Sequence, residues 1–425
     1  MATATNTSPA PVGYLELIRT NANFRNIWYG QIISLLGDWF DLIASAALVG
    51  ILTKSGLAVG SLFVVRMLAP FLISPLAGVV ADRYNRKWVL IITDLSRAVV
   101  VLGFLLVRNA NQLWLLYTIT ALQLGISGFF FPARNAILPD IAAPHEMGAA
   151  NALSSATWSV MLAMGAALGG LASGLWGIYP AFVIDSVSFL LSAFFIARVT
   201  QVEAPALAKA DKTIGAALQQ YIDGLRYLRR QPDVLVITLH KAVNALILSA
   251  GFQVLQVAIS QKLFVIGKEG GISLGLMFAL SGIGTGVGPM IARRITGDEP
   301  QALRRAITIG YIIGGLGLVL TAPLFSFGSV LLGTLLRALG GGIVWVFSTQ
   351  LLLQAVPNQI LGRVFATEFA FFNLTSAISS ALVGAALDAA LSISAVIWWM
   401  AVFSVAPVIL WPLWLRKRSL PPTGE

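Results

Sequence analysis

Seven ionisable side chains stand in stretches that are otherwise apolar: Asp38, Asp41, Arg66, Asp94, Arg97, Arg337 and Glu368. A charge surrounded by hydrocarbon is costly, and its default reading is functional. The chemistry open to such groups is narrow. A carboxylate can hold and release a proton, bind a cationic group, or close an ion pair with arginine. Asp38 and Asp41 are three residues apart and share one helix face. Asp94 and Arg97 repeat that spacing with opposite charges. Either Asp38 or Asp41 can reach for Arg66, and Asp94 for Arg97. Asp38 is open to three readings: a proton or substrate site, half of a structural ion pair, or the wall of a wet cavity. Asp185 lies in another apolar stretch, as do the neighbours His240 and Lys241, for which snorkelling to an interface is expected.

Other chemistries find no residues. The chain has 0 Cys and 2 His, His145 and His240, too few for a thiolate site or most metal centres. No phosphate-cradling G-x-x-x-x-G-K-[ST] loop is present, so ATP-driven pumping is not expected. No nucleophile–base pair stands out. The chain is expected to be no enzyme and to need no metal or cofactor.

The elements that position these charges follow from composition. Of 425 residues, 57% are hydrophobic and 11% charged, against about 45–50% and about 25% in soluble domains. So few charges cannot clothe a soluble surface. Runs of about 20 apolar residues, the length that spans a bilayer as a helix, occur at 26–52, 59–80, 88–107, 112–131, 148–174, 178–197, 233–260, 271–292, 304–323, 328–355, 363–390 and 394–415. They are too long and too continuously apolar for barrel strands. The expectation is an all-α integral membrane protein of twelve helices. With a rise of about 1.5 Å per residue, Asp38 falls roughly 16 Å into the first helix, near the midplane. Residues 1–13 lack a basic residue and an apolar run, so no cleavable signal peptide is expected.

Of the 28 Lys and Arg, 20 lie between segments on one side, 4 on the other and 4 within segments. That asymmetry is expected of an even helix count with both termini and the long polar stretch in the cytoplasm. The net charge of +10 is then topological and does not indicate nucleic acid. The division expected is a tail at 1–25, six helices over 26–197, a cytoplasmic linker at 198–232, six helices over 233–415, and a tail at 416–425. Within the linker, Ile214, Leu218, Ile222, Leu225 and Leu228 recur at helical spacing. They describe an amphipathic helix, lying on the membrane surface or solvated.

The two halves carry traces of duplication. Gly78–Asp82–Arg83 after the second segment is echoed by Gly288–Ala292–Arg293 after the eighth, an offset of 210 residues. Leu138-Pro139-Asp140 after the fourth is echoed by Val356-Pro357-Asn358 after the tenth, an offset of 218. Parallel repeats of this kind occur in transporters.

The stretch Gly78-Val-Val-Ala-Asp82-Arg83-Tyr-Asn-Arg86-Lys87 between the second and third of twelve segments resembles the signature loop of the major facilitator superfamily. Leu36-Gly37-Asp38-Trp39, Asp94-Leu95-Ser96-Arg97, Pro132-Ala133-Arg134-Asn135-Ala136 and Gly362-Arg363-Val364 look like the branch holding macrolide-efflux proteins, the enterobactin exporter and lysophospholipid transporters. The resemblance implies an alternating-access carrier, with Gly78, Asp82, Arg83, Arg86 and Lys87 as a conformational gate. The second copy has Ala292 where the aspartate would stand. Gly165, Gly169 and Gly170 resemble the superfamily's antiporter motif, with Ala166 in place of its proline; packing helices closely is the other reading. The same resemblance implies a monomer in the bacterial cytoplasmic (inner) membrane, exporting hydrophobic or amphipathic small molecules (drug, macrolide or siderophore-like) through a largely apolar cavity. The energy source implied is the proton gradient, with Asp38, Asp41, Arg66, Asp94, Arg97, Arg337 and Glu368 as coupling or substrate candidates. The alternative is a carrier of lysophospholipid between leaflets.

Overall fold

A computed structural model of the chain describes residues 12–200, 214–297 and 299–417. Each of the twelve apolar runs is a helix long and apolar enough to cross a membrane. We number them α1 (Ala22–Thr53), α2 (Gly56–Arg83), α3 (Arg86–Leu106), α4 (Leu113–Ile141), α5 (Met147–Trp176), α6 (Ile178–Ala197), α7 (Pro232–Lys262), α8 (Gly271–Thr296), α9 (Pro300–Thr321), α10 (Phe327–Ala355), α11 (Asn358–Asp388) and α12 (Ile393–Arg416). Two short helices, Tyr14–Thr20 and Ile214–Arg230, lie outside the spans. Several spans start at side-chain caps: Asn21, Ser55, Asn85, Ser326 and Ser392 accept from backbone N–H groups of the first turn. That satisfies donors a helix start leaves orphaned.

Three spans depart from plain α-helix. The last turn of α3, Gly103–Leu106, is 3₁₀. In α7, residues Ala245–Ser249 form a π turn. α12 is interrupted at Ser404, between Phe403 and Val405. The signature stretch is less of a loop than its sequence suggests. Gly78 to Arg83 complete α2, and the turn itself is confined to Tyr84 and Asn85.

Within the first six helices, α1 packs on α5 and α6, and α3 and α4 close the group with α2. Within the last six, α10 packs on α8 and α9, and α11 on α7. The two groups meet along two seams, α5 with α8 and α2 with α11, while α1 also touches α7. We call the end of the bundle with the Tyr84–Asn85 turn and the helix Ile214–Arg230 the basic face. Both seams close at the other end. A Cβ on Gly170 would strike the Gly275 backbone, and one on Gly174 would lie 2.9 Å from the backbone of Ile272. Gly56 and Gly60 press likewise on Gly384 and Ser380. Small residues let backbones approach closely enough for dispersion to hold them. Toward the basic face the α5–α8 seam opens: a Cβ on Gly286, or on Gly148 at the start of α5, would meet nothing within 4 Å.

Candidate functional site

The charges on α1 to α3 and α6 converge inside the first group of helices. Asp41, fully buried, is paired with Arg66 of α2 at 2.9 Å. Asp38 takes Arg97 of α3. Arg97 also lies 3.6 Å from Asp94 and sits 3.9 Å over the ring centroid of Phe189 of α6. Local spacing points Arg97 at Asp94 alone; the structure shares it between Asp94 and a carboxylate on another helix. A fourth acid joins them. Asp185 of α6 accepts from Gln123 of α4 at 3.3 Å and from Ser188 at 3.4 Å. It is close enough to Asp38, Asp41 and Arg97 to interact with them electrostatically. Gly37 makes this approach possible, since a Cβ there would collide with Asp185 and Ser188. Sequence reasoning does not place Asp185 or Gln123 among the site residues. The readable signal is a polar stripe, Asp185, Ser188 and Ser192, at helical spacing along an apolar run.

Four carboxylates thus face two guanidiniums, and their access differs. The side chains of Asp41, Asp94 and Asp185 are sealed, whereas that of Asp38 is 28% exposed. Asp38 opens into a cavity of about 490 Å³ walled by α1, α3, α4 and α5. Apolar side chains, Leu35, Phe130, Phe131 and Trp158, make up much of its wall, with the charges of Asp38, Arg97 and Arg134 set among them. Gln31, Ser34, Asn135 and Ser154 line it beside the aromatic rings of Phe131 and Trp158. Arg134, 7% exposed, donates to Gln31 Oε1 at 2.6 Å and to Asn135 Oδ1 at 3.3 Å.

The second group of helices has its own buried charges. Lys241 of α7 donates to Glu368 of α11 at 2.7 Å and lies 4.7 Å from the ring centroid of Trp345. His240 is 3.2 Å from the Tyr311 hydroxyl and edge-on to Trp411. Both are buried, so they do not snorkel: each has a specific partner that replaces water. Arg337 of α10 donates to the carbonyl of Leu248 at 2.7 Å and to Ser281 at 3.0 Å. Leu248 lies in the π turn, which frees carbonyls from the regular ladder; Ser379 of α11 takes another, that of Leu246, at 2.7 Å.

At the basic face, Arg86 clasps Asp140 at 2.6 Å and Lys87 donates to the Val199 carbonyl at 2.7 Å. These tie the turn after α2 to the ends of α4 and α6. The side-chain positions of Gly78, Asp82 and Arg83 lie outside the described residues, as do those of Ile214 and Leu218. In the helix Ile214–Arg230, Leu228 is buried and Asp223 pairs with Arg363 of α11 at 3.3 Å. At the opposite face, Asp388 at the end of α11 accepts from Ser55 Oγ and Gly56 N, both at 2.6 Å, and from Leu57 N at 3.2 Å. A carboxylate from one group of helices thereby caps a helix of the other. Gly165 and Gly169 of α5 receive Trp39 of α1, and Gly170 receives α8.

Two groups of six helices, closed against each other at one face, with a charged cavity walled by α1, α3, α4 and α5 of the first group, have the architecture of a membrane carrier. The chain belongs to the Major Facilitator Superfamily, whose family model matches residues 27–367. It is 29% identical over 363 residues to "Uncharacterized MFS-type transporter YfiS" of Bacillus subtilis, covering 82% of this chain and 83% of that one. It is 24% identical over 374 residues to "Putative bacilysin exporter BacE" of Bacillus amyloliquefaciens, covering 85% and 88%. Among solved structures, the nucleoside transporter NupG superimposes with a TM-score of 0.75 at 12% identity, covering 93% of this chain and 99% of that one. The fold is therefore that of a multi-pass membrane transporter.

Proposed function

We propose that this carrier exports amphipathic small molecules in exchange for protons, with the basic face in the cytoplasm. The observation that carries the reading is the acid cluster of the first half: four carboxylates against two arginines, one of the four open to the cavity. Two surplus negative charges in a low-dielectric interior are strongly disfavoured, and proton uptake relieves them. Asp38 is the exchange point because Arg97 links it to the sealed Asp94 while its own oxygens reach the cavity. The export direction draws support from the relative whose name carries the word exporter and from a cavity open toward the arginine-rich face. The proton gradient is the energy source in this reading, and the chain acts as a monomer without cofactor.

The test is transport by the purified chain in proteoliposomes under an imposed pH gradient. Asp38→Asn is expected to abolish accumulation against a gradient while preserving counterflow exchange, because exchange needs binding and rocking but no net proton movement. Undiminished uphill transport in the mutant would move the exchange point to another acid of the cluster. Uphill transport insensitive to the pH gradient in the wild type would end the proton reading.

A further inference from the structure

Arg134 is unlike the other arginines of the first half's interior. Arg66 faces Asp41, and Arg97 faces Asp38 and Asp94. Arg134 forms no ion pair among the described residues. Its guanidinium is held by two neutral amide oxygens, those of Gln31 and Asn135, and its Nε has no protein partner. Arg337 also lacks an acid and its Nε is likewise without a partner, but Phe252 covers its guanidinium at 4.2 Å and the Leu248 carbonyl and Ser281 take its other nitrogens. Arg134 instead lines the cavity. A buried charge without a counter-charge is strongly unfavourable, and the planar guanidinium fork matches carboxylate and phosphate oxygens. Neutral polar groups, Ser154, Asn151 and Asn135, line the same space with Trp158 exposed beside it, and the only carboxylate among the described residues of the lining, Asp38, is already paired with Arg97.

We propose that Arg134 is the recognition residue for an anionic head, carboxylate or phosphate, on the transported amphiphile, whose apolar body lies along Phe131 and Trp158. This rests on the carrier reading and narrows its substrate class to amphipathic anions. The head would sit seven residues before the end of α4, roughly 10 Å in from the basic face, where a substrate entering from that face meets it before reaching Asp38.

Binding to the full chain in nanodiscs, read by calorimetry, tests this with two matched arms. The first compares an aryl carboxylate with its primary amide; the second compares a single-chain lysophosphatidic acid with the corresponding monoacylglycerol. The charged member of at least one arm is expected to bind about tenfold tighter, a difference of roughly 1.4 kcal/mol. Preference in the first arm assigns the site to free solutes, and in the second to lipid headgroups. Gln31→Glu places a carboxylate where an amide oxygen already touches Arg134, so it should fold normally and erase the preference by supplying the missing charge from within. Arg134→Lys should retain part of it. Equal binding of charged and neutral members in both arms overturns the proposal, as does a preference that survives Gln31→Glu. Anion preference together with absent pH-driven transport would instead sink the coupled-exporter reading and leave the anion site standing.

Discussion

Asp185 keeps hydrogen bonds to Gln123 and Ser188 with no guanidinium within ion-pair distance among the described residues, whereas Asp41 faces Arg66 at 2.9 Å. The two buried acids should therefore respond oppositely to loss of charge. Asp41→Asn leaves Arg66 without its counter-charge, and breaking a buried pair costs about 3–5 kcal/mol. Asp185→Asn keeps polar atoms for the same neighbours and relieves repulsion from Asp38 and Asp41. Thermal unfolding in detergent should show a clear drop in Tm for the first and no drop for the second; equal losses would refute the surplus of acids. At this scale the sequence names most of the charges but only some partners. Asp94–Arg97 and Asp41–Arg66 are within reach of spacing arguments. Asp38–Arg97, Lys241–Glu368 and Arg134–Gln31 join residues 59, 127 and 103 positions apart, and which of them meet depends on helix rotation and crossing, to which hydropathy is blind.

The signature stretch and Asp388 lie at opposite ends of α2. By the family resemblance Asp82 is expected to latch the basic face, and the hydrogen bonds of Asp388 tie the two groups at the other. Each latch should favour the state in which its own face is closed. Asp82→Asn should shift the population toward opening at the basic face. Asp388→Ala removes a cap of about 1 kcal/mol and should shift it the other way. Spin-label distances between cysteines at Lys54 and Leu391 would lengthen in Asp388→Ala; unchanged distances would mean that the cap serves α2 alone. The elements themselves are readable because each hydrophobic run is long enough to span a bilayer and bounded by polar turns. The π turn of α7 is not, since its freed carbonyls are satisfied by Arg337 and Ser379, supplied from other helices. The break at Ser404 is legible, because Pro407 lacks the N–H that would bond the Phe403 carbonyl one turn earlier.

For the whole molecule, the closed ends of the two seams and the open cavity mean that the chain is accessible from the basic face. Leu at position 170 would hold α5 and α8 apart where their backbones now touch. Because the chain has 0 Cys, a single engineered thiol reports access without background. An impermeant thiol reagent added at the opposite face should label Ser34→Cys readily in the Gly170→Leu background and poorly without it. Labelling that is equally poor in both would show that α2 and α11 alone decide closure.

That seam also bears on how such a carrier could diverge. A glycine codon becomes an alanine codon by one base change, and a methyl at position 170 or 275 would intrude on the facing backbone. The side on which the molecule rests open is therefore within reach of a single mutation that leaves fold, cavity and acid cluster untouched. Descendants of one ancestor could differ in resting orientation while keeping the same substrate. An inhibitor that works by wedging into the basic-face cavity would then meet resistance through substitutions lying far from its own contacts.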